Sequence, residues 1–254
     1  MALISGAGDG IGRSCALAMG ADGADLILGA RDGDRLTALA AEVRAGTGRR
    51  VVAVPMDITD AGQVAALVER GVDELGRLDA VVNVAARSGT RHNIEEHDPE
   101  ELRRSFEVNV VGTLEVCRRA LPHLRASGGG AIVQISALSA HTRLPGLTDY
   151  TATKSAMVTA SLTLAREVGR DGIRVNVVVP GYTRGRGLDA HLDAIAARRG
   201  ISRTDVEDEI LRGSALATMS DPDDIAEAVL FLVSGRSRTI TGQQLHVNAG
   251  EWLP

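Results

Sequence analysis

The chain has 254 residues, 44% of them hydrophobic and 24% charged, with a mean hydropathy of +0.03, the composition of one large globular domain. Its net charge of −5 gives no basic footprint for nucleic acid, and no apolar run reaches the ~18 residues that a bilayer span needs. The two cysteines, Cys15 and Cys117, fall in helix-patterned segments, so a reducing cytoplasm is the expected setting rather than a disulfide scaffold.

In chain order, the apolar run Ala2–Ser5 leads into a helical pattern at Ile11–Gly20, Asp25–Ala30 into Asp34–Ala45, and Val51–Met56 into Ala61–Leu75. Ala80–Val84 precedes the long helical pattern Pro99–Ala126, and Ala131–Ser136 precedes Tyr150–Arg170. Arg174–Val179 is followed by the polar stretch Gly185–Ala217, with helical pieces at Leu188–Arg199 and Val206–Leu211, then by the helix Pro222–Val233 and the strand Gln244–Val247. The strand runs are mostly continuous rather than alternating, the pattern of strands covered on both faces. Repeated strand–helix units imply an α/β fold: a parallel sheet of about seven strands with right-handed crossovers and helices on both faces. No linker or repeat divides residues 1–254, and the insertion around 185–217 suits a lid over the carboxyl edge of the sheet. No basic-then-apolar leader opens the chain, so any natural N-terminal extension is expected to be minimal or trimmed.

Two motifs carry chemistry. The first strand runs into Ser5-Gly6-Ala7-Gly8-Asp9-Gly10-Ile11-Gly12, where Gly6, Gly10 and Gly12 follow the spacing GxxxGxG at the mouth of a helix. Glycines there permit a tight turn and close backbone approach to a pyrophosphate, which the positive helix N-terminus attracts. Tyr150 and Lys154 lie four apart, one turn along a helical face. An ammonium beside a phenol favours phenolate and is expected to lower the tyrosine pKa from its reference of about 10, giving an acid/base for carbonyl or alcohol chemistry.

Together, GxxxGxG and the later YxxxK resemble the short-chain dehydrogenase/reductase family, in its single-domain branch, across the whole chain. The resemblance implies a Rossmann-like doubly wound sheet, and an NAD(P)-dependent oxidoreductase that interconverts a ketone or aldehyde with an alcohol. It implies that Gly6, Gly8, Asp9, Gly10, Ile11 and Gly12 lie at the cofactor, with Asp57-Ile58 on its adenine side. Asn83 and Ala85 sit where the family lines the cofactor, Pro180-Gly181 and Thr183 where it meets the nicotinamide, and Tyr150 and Lys154 would also touch it. Asn109 resembles the member of the catalytic tetrad that bends its helix and holds a relay water. A homo-oligomer, tetramer or dimer, is also implied, with Pro99–Ala126 and Tyr150–Arg170 at an interface.

Cofactor choice turns on the end of the second strand. Ala30 stands where enzymes of this type that use NAD carry an acid, and Arg31 resembles the arginine that pairs with a 2′-phosphate, which favours NADP(H) over NAD(H). Asp9 argues the other way, because a carboxylate is ill placed beside a phosphate.

The pattern departs from the family in one important place. The serine expected thirteen residues before Tyr150 is Ala137. Ser139, on the same side if the extended run continues, and Ser136, after a one-residue slip, are the two replacements. The alternative is an NAD(P)-binding sensor, scaffold or disabled variant with weak or no catalysis; an isomerase or dehydratase using a recycled cofactor fits the chain length poorly. Val84, Ala86 and Gly185 are further departures. No metal spacing joins His92, His97, His123, His141, His191 and His246, so loop or surface roles are expected, with His141 a possible pocket residue. Arg184 and Arg186 stand where they could meet an anionic substrate, although a solvated flexible loop is the favoured account. The remaining partner is a small carbonyl or alcohol molecule, with no nucleic acid and no membrane.

Overall fold

The computed structural model describes residues 1–89 and 91–253. Seven parallel strands form one sheet: β1 (Ala2–Ser5), β2 (Leu26–Ala30), β3 (Val51–Pro55), β4 (Ala80–Asn83), β5 (Gly130–Ile135), β6 (Ile173–Pro180) and β7 (Gln244–Val247), in the order β3-β2-β1-β4-β5-β6-β7. The helices are α1 (Ile11–Ala21), α2 (Gly33–Thr47), α3 (Ala61–Leu75), α4 (Pro99–Phe106), α5 (Thr113–Ala126), α6 (Ser139–Thr142), α7 (Thr148–Val168), α8 (Arg186–Arg199), α9 (Arg203–Gly213) and α10 (Pro222–Val233). The expected strands are all present, with no end shifted by more than one residue, as fraying termini allow.

The continuous apolar runs are explained by two cores. Successive side chains of a strand point to opposite faces. Ala2 and Ile4 of β1 and Leu26 and Leu28 of β2 therefore join one core, against residues of α1, α2 and α10. Leu3 and Ile27 join the other, against α3, α5 and α7. Burying a large aliphatic side chain contributes about 1.5–3 kcal/mol, and these central-strand residues are fully buried.

The long pattern Pro99–Ala126 is not one α-helix. A π-helical segment, Glu107–Gly112, separates α4 from α5. Asn109, 1% exposed, sits within it and is drawn into bonds with Arg87 and Thr153. Gly112 passes so near the loop after β3 that a Cβ there would lie 2.5 Å from the Ile58 carbonyl oxygen. Wide turns of this kind occur mostly singly and often at functional sites.

Strand order reverses between β1 and β4, which opens a crevice at the carboxyl ends of the strands. The glycine-rich turn, the start of α7 and the insertion carrying α8 and α9 all follow strands at this edge.

Candidate active site

The turn after β1 is held by backbone bonds. The Gly6 and Ala7 N–H groups both donate to the Gly29 carbonyl, at 2.8 and 3.1 Å. Gly6 has φ 85°, and a Cβ there would lie 2.3 Å from the Ala85 nitrogen; a Cβ on Gly12 would lie 2.2 Å from the Gly6 oxygen. Only glycine fits either place. By contrast, positions from Gly8 and Gly10 open into free space, and no side chain caps α1 at Gly10. A cradle with open walls and unsatisfied helix N–H groups, reaching Ile11, fits a pyrophosphate.

Asp9 does not stand alone in this cradle. It pairs with Arg35 of α2, at 3.3 Å, and with Arg186 at the start of α8. Its charge is thus offset, which weakens the objection to a nearby phosphate. Arg31 is exposed, and its charge reaches Asp57. Asp57 accepts from the Thr59 amide at 2.9 Å and hydroxyl at 2.8 Å, and these bonds, then Arg31, hold its carboxyl below the usual range. Ile58 is buried beside it. Asn83 ends β4, 3% exposed, with its Oδ1 unpartnered among the described residues, and the Ala85 amide donates to Ser5 O at 3.0 Å. Pro180 accepts from the Leu138 amide at 2.8 Å, Gly181 donates to Val247 O at 3.1 Å, and Thr183 donates to Gly181 O at 3.2 Å. The structure therefore brings Gly6 through Gly12, Asn83, Ala85 and the 180–183 segment to one edge.

Tyr150 and Lys154 occupy the first turns of α7. Lys154 is 3% exposed; its Nζ donates to Ile135 O at 2.7 Å and lies 5.8 Å from the Tyr150 ring centroid. Burial pushes the Tyr150 phenol up to about 12 and the Lys154 ammonium down to about 8. The expected lowering of the tyrosine is therefore overturned in this state of the chain. Loss of water disfavours the charged form of both groups, and the lysine, turned onto a carbonyl, does not offset it. At neutral pH the phenol is protonated, the form in which it donates.

Asn109 completes the framework. Its Nδ2 donates to Arg87 O at 2.8 Å and to Thr153 Oγ1 at 2.9 Å, and its Oδ1 accepts from the Arg87 amide at 2.7 Å. Thr153 lies between Tyr150 and Lys154 in sequence and donates to Asp149 O at 2.8 Å, so the wide turn is tied to α7.

Strand alternation does not reach Ser139, because β5 ends at Ile135. Leu138 already has helical angles, φ −59° and ψ −29°, and Ser139 opens α6. Both Ser136 Oγ and Ser139 Oγ are buried without a hydrogen-bond partner among the described residues, and Ser136 is 2% exposed. Ser155, next to Lys154, donates to Ala140 O at 3.3 Å and so pins α6 to α7.

Several further groups were not legible as site residues. His97 lies in the loop before α4, as expected of the histidines, but its side chain is interior, hydrogen-bonded to the buried Asp149 beside Tyr150. His141 and His246 form a cluster with Trp252, the single tryptophan, all ring centroids 5.0 Å apart. Tyr182 stacks on His191 at 6.1 Å. Arg184 and Arg186 are exposed, as a solvated loop implies, and pair with Asp221 at 3.5 Å and with Asp9. Among the described residues, no cluster of three metal-ligating side chains occurs, and no helix is long and apolar enough to cross a membrane.

Sheet order, switch point and glycine-rich turn define a Rossmann-like α/β protein. The family profile described as enoyl-(acyl carrier protein) reductase matches residues 6–251. An uncharacterized oxidoreductase of Methylorubrum extorquens is 34% identical, over 98% of this chain and 96% of its own length. The 3-oxoacyl-(acyl-carrier-protein) reductase of Staphylococcus aureus is 30% identical, over 99% and 98%. The solved L-sorbose reductase of Gluconobacter frateurii, complexed with NADPH and L-sorbose, superposes with a TM-score of 0.93 at 29% identity, covering 100% of this chain and 96% of that one. The chain belongs to the short-chain dehydrogenase/reductase family of oxidoreductases.

Proposed function

We propose that the chain is an NADP(H)-favouring oxidoreductase that interconverts a ketone or aldehyde with an alcohol. The observation that carries this reading is Tyr150 one turn from the buried Lys154, with Asn109 bound to the Thr153 between them. The nicotinamide cofactor, when bound, exchanges a hydride with the substrate carbon. Gly6 to Gly12 and the N-terminus of α1 receive its pyrophosphate; Asp57, Ile58, Asn83, Ala85, Pro180, Gly181 and Thr183 line the rest. In the reducing direction Tyr150 gives its proton to the carbonyl oxygen, so that carbon gains hydride, oxygen gains a proton and the product is an alcohol; oxidation reverses each transfer. Lys154 holds positive charge beside the phenolate that forms, and Asn109 fixes the helix on which a water relay would return the proton. Ser139 or Ser136 donates to the substrate oxygen in place of the hydroxyl missing at Ala137.

Arg31, exposed and in no salt bridge among the described residues although its charge reaches Asp57, supports a 2′-phosphate. Relatives point both ways, since one solved neighbour carries NADPH and a more distant one NAD+. We further propose one domain over 1–254 with α8 and α9 as its lid, a homo-oligomer, and a cytoplasmic setting. Ala137 favours a second reading, a cofactor-binding protein with little turnover. Tyr150→Phe separates the two: on a panel of carbonyls with NADPH, the enzyme reading expects turnover by the parent chain, lost in the variant, with cofactor affinity retained. Cofactor binding without turnover by the parent chain selects the second reading.

A further inference from the structure

The insertion carries arginines whose pairing is uneven. Arg184, Arg186, Arg199 and Arg203 each have a carboxylate partner: Asp221, Asp9, Glu209, and a set made of Asp189, Asp193 and Glu207. Arg198 has none among the described residues. Across the cleft, Arg87, Arg103 and Arg104 pair with Glu101 and Glu100, while Arg91 has no partner among the described residues.

These two unpaired guanidiniums face the same place. On α8, His191, Ile195 and Arg198 follow one another at i, i+4 and i+7 and so share a face. Two other sides of α8 are occupied: Leu192 and Ala196 pack with Val206 of α9, and Asp189 and Asp193 bind Arg203. The third face is set by His191, whose ring stacks on Tyr182 at 6.1 Å and 21°. Tyr182 follows Pro180-Gly181 directly, on the substrate side of the cleft, and its amide is held by Glu251 at 3.0 Å. Arg91 comes from the opposite rim. The neighbouring His92 amide nitrogen lies 4.0 Å from where a Cβ on Gly146 would stand, so this segment lies against the loop that leads into Tyr150.

Charge follows the same geometry. Burial, then the charges of Arg91 and Arg198, hold the His191 imidazole down at about 4, so it is a neutral hydrogen-bonding ring between two cations. His191 Nδ1 is buried and unpartnered among the described residues. Glu251, the carboxylate that accepts from the Tyr182 amide, is itself pushed up by burial, so it is a weak counter-charge for two arginines.

We propose that Arg91 and Arg198, with the Tyr182 hydroxyl and the His191 ring between them, bind an anionic group on the substrate, a carboxylate or a phosphate monoester. The inference rests on the oxidoreductase reading of the same cleft and names its substrate class: a keto acid or a phosphorylated carbonyl compound, and the matching alcohol, rather than a neutral ketone. Guanidiniums from two rims suit such a group, because each can donate to it through a fork of N–H bonds. Binding would also draw the α8 rim toward the 91–92 segment, over the reacting carbon.

The test is equilibrium binding to the NADPH-loaded protein, measured by calorimetry with three inert probes of similar size: pentanoate, butyl phosphate and the neutral pentanamide. At least one anion is expected to bind about tenfold or more tighter than the amide at low salt, as charge-assisted bonds give. Arg91→Gln and Arg198→Gln should each weaken that anion several-fold, and the double variant should bind anion and amide alike. The tighter anion identifies carboxylate or phosphate as the group. Equal binding of all three probes, no anion binding at millimolar concentration, or a preference that survives in the double variant overturns the proposal. Turnover of methyl levulinate and levulinate is measured alongside. Turnover of the ester without an anion preference would leave the oxidoreductase reading standing and remove the anion site. An arginine-dependent preference with no turnover on any carbonyl would do the reverse.

Discussion

The His97 imidazole is hydrogen-bonded through Nε2 to Oδ1 of Asp149, with 4% and 1% of the two side chains exposed, one residue before Tyr150. It joins the segment ahead of α4 to the first turn of α7. Removing the donor takes one hydrogen bond from a buried carboxyl, which costs about 1 kcal/mol or more. His97→Ala should therefore lower unfolding stability by that amount and reduce kcat. His97→Gln, which keeps a donor near the same point, should restore most of both. Urea unfolding and steady-state rates on the two variants check this, and equal behaviour of Ala and Gln would show that the bond does not matter.

Burial of the proposed acid and its neighbour predicts an unusual alkaline profile. Lys154 is lowered from 10.5 to about 8, so between these values the unfolded chain binds more protons and stability rises with pH. Tyr150 is raised from 10.0 to about 12, so across that later interval the folded chain binds more protons and stability falls. Each change is about 1–3 kcal/mol at most. Unfolding of the cofactor-free chain measured from about pH 7 to 11 should show the rise begin, absent in Lys154→Met, and then a fall that Tyr150 shares with the buried thiols of Cys15 and Cys117, raised to about 12 and about 11, so that Tyr150→Phe reduces the fall without abolishing it.

Ala137 makes the hydroxyl question experimental. If Ser139 or Ser136 donates to the substrate oxygen, its change to Ala should reduce kcat by about 10²–10³, while the other Ser→Ala variant stays near the parent. Ala137→Ser should raise turnover, by supplying a donor at the position the family uses. Steady-state kinetics with a fixed carbonyl substrate decide it, and two silent Ser→Ala variants would mean that no serine compensates.

Cofactor preference should depend on Arg31. NADPH is expected to bind more tightly than NADH, and Arg31→Ala should reduce the difference by roughly tenfold or more, the size of a lost charge-assisted bond. Fluorescence titration with each dinucleotide measures both. A preference for NADH in the parent chain would remove Arg31 from the site.

Much of this organisation was legible because it is local. The glycine spacing, the Tyr150–Lys154 pair and the continuous apolar strands are patterns within a few residues, and each strand formed where expected. The rest depends on distance along the chain. His97 meets Asp149 across 52 positions and Arg186 meets Asp9 across 177, so neither link leaves a trace in local periodicity. Leu138 turned helical one residue before Ser139, which ended the alternation used to orient that hydroxyl. The direction of the Tyr150 shift is not local either: spacing locates a charge but says nothing of the water removed around it.

The π-helical segment has a consequence for length. It adds residues to the helical path between Phe106 and Thr113 without adding a full α-turn, so the frame of α5 is offset from that of α4. Each residue of an α-helix turns the frame by about 100°. Deleting one residue within 107–112 would therefore rotate Val116, Cys117, Ala120 and Leu124 away from the sheet or pull Asn109 out of line. Substitution can be absorbed in this stretch far more readily than a change in the number of residues.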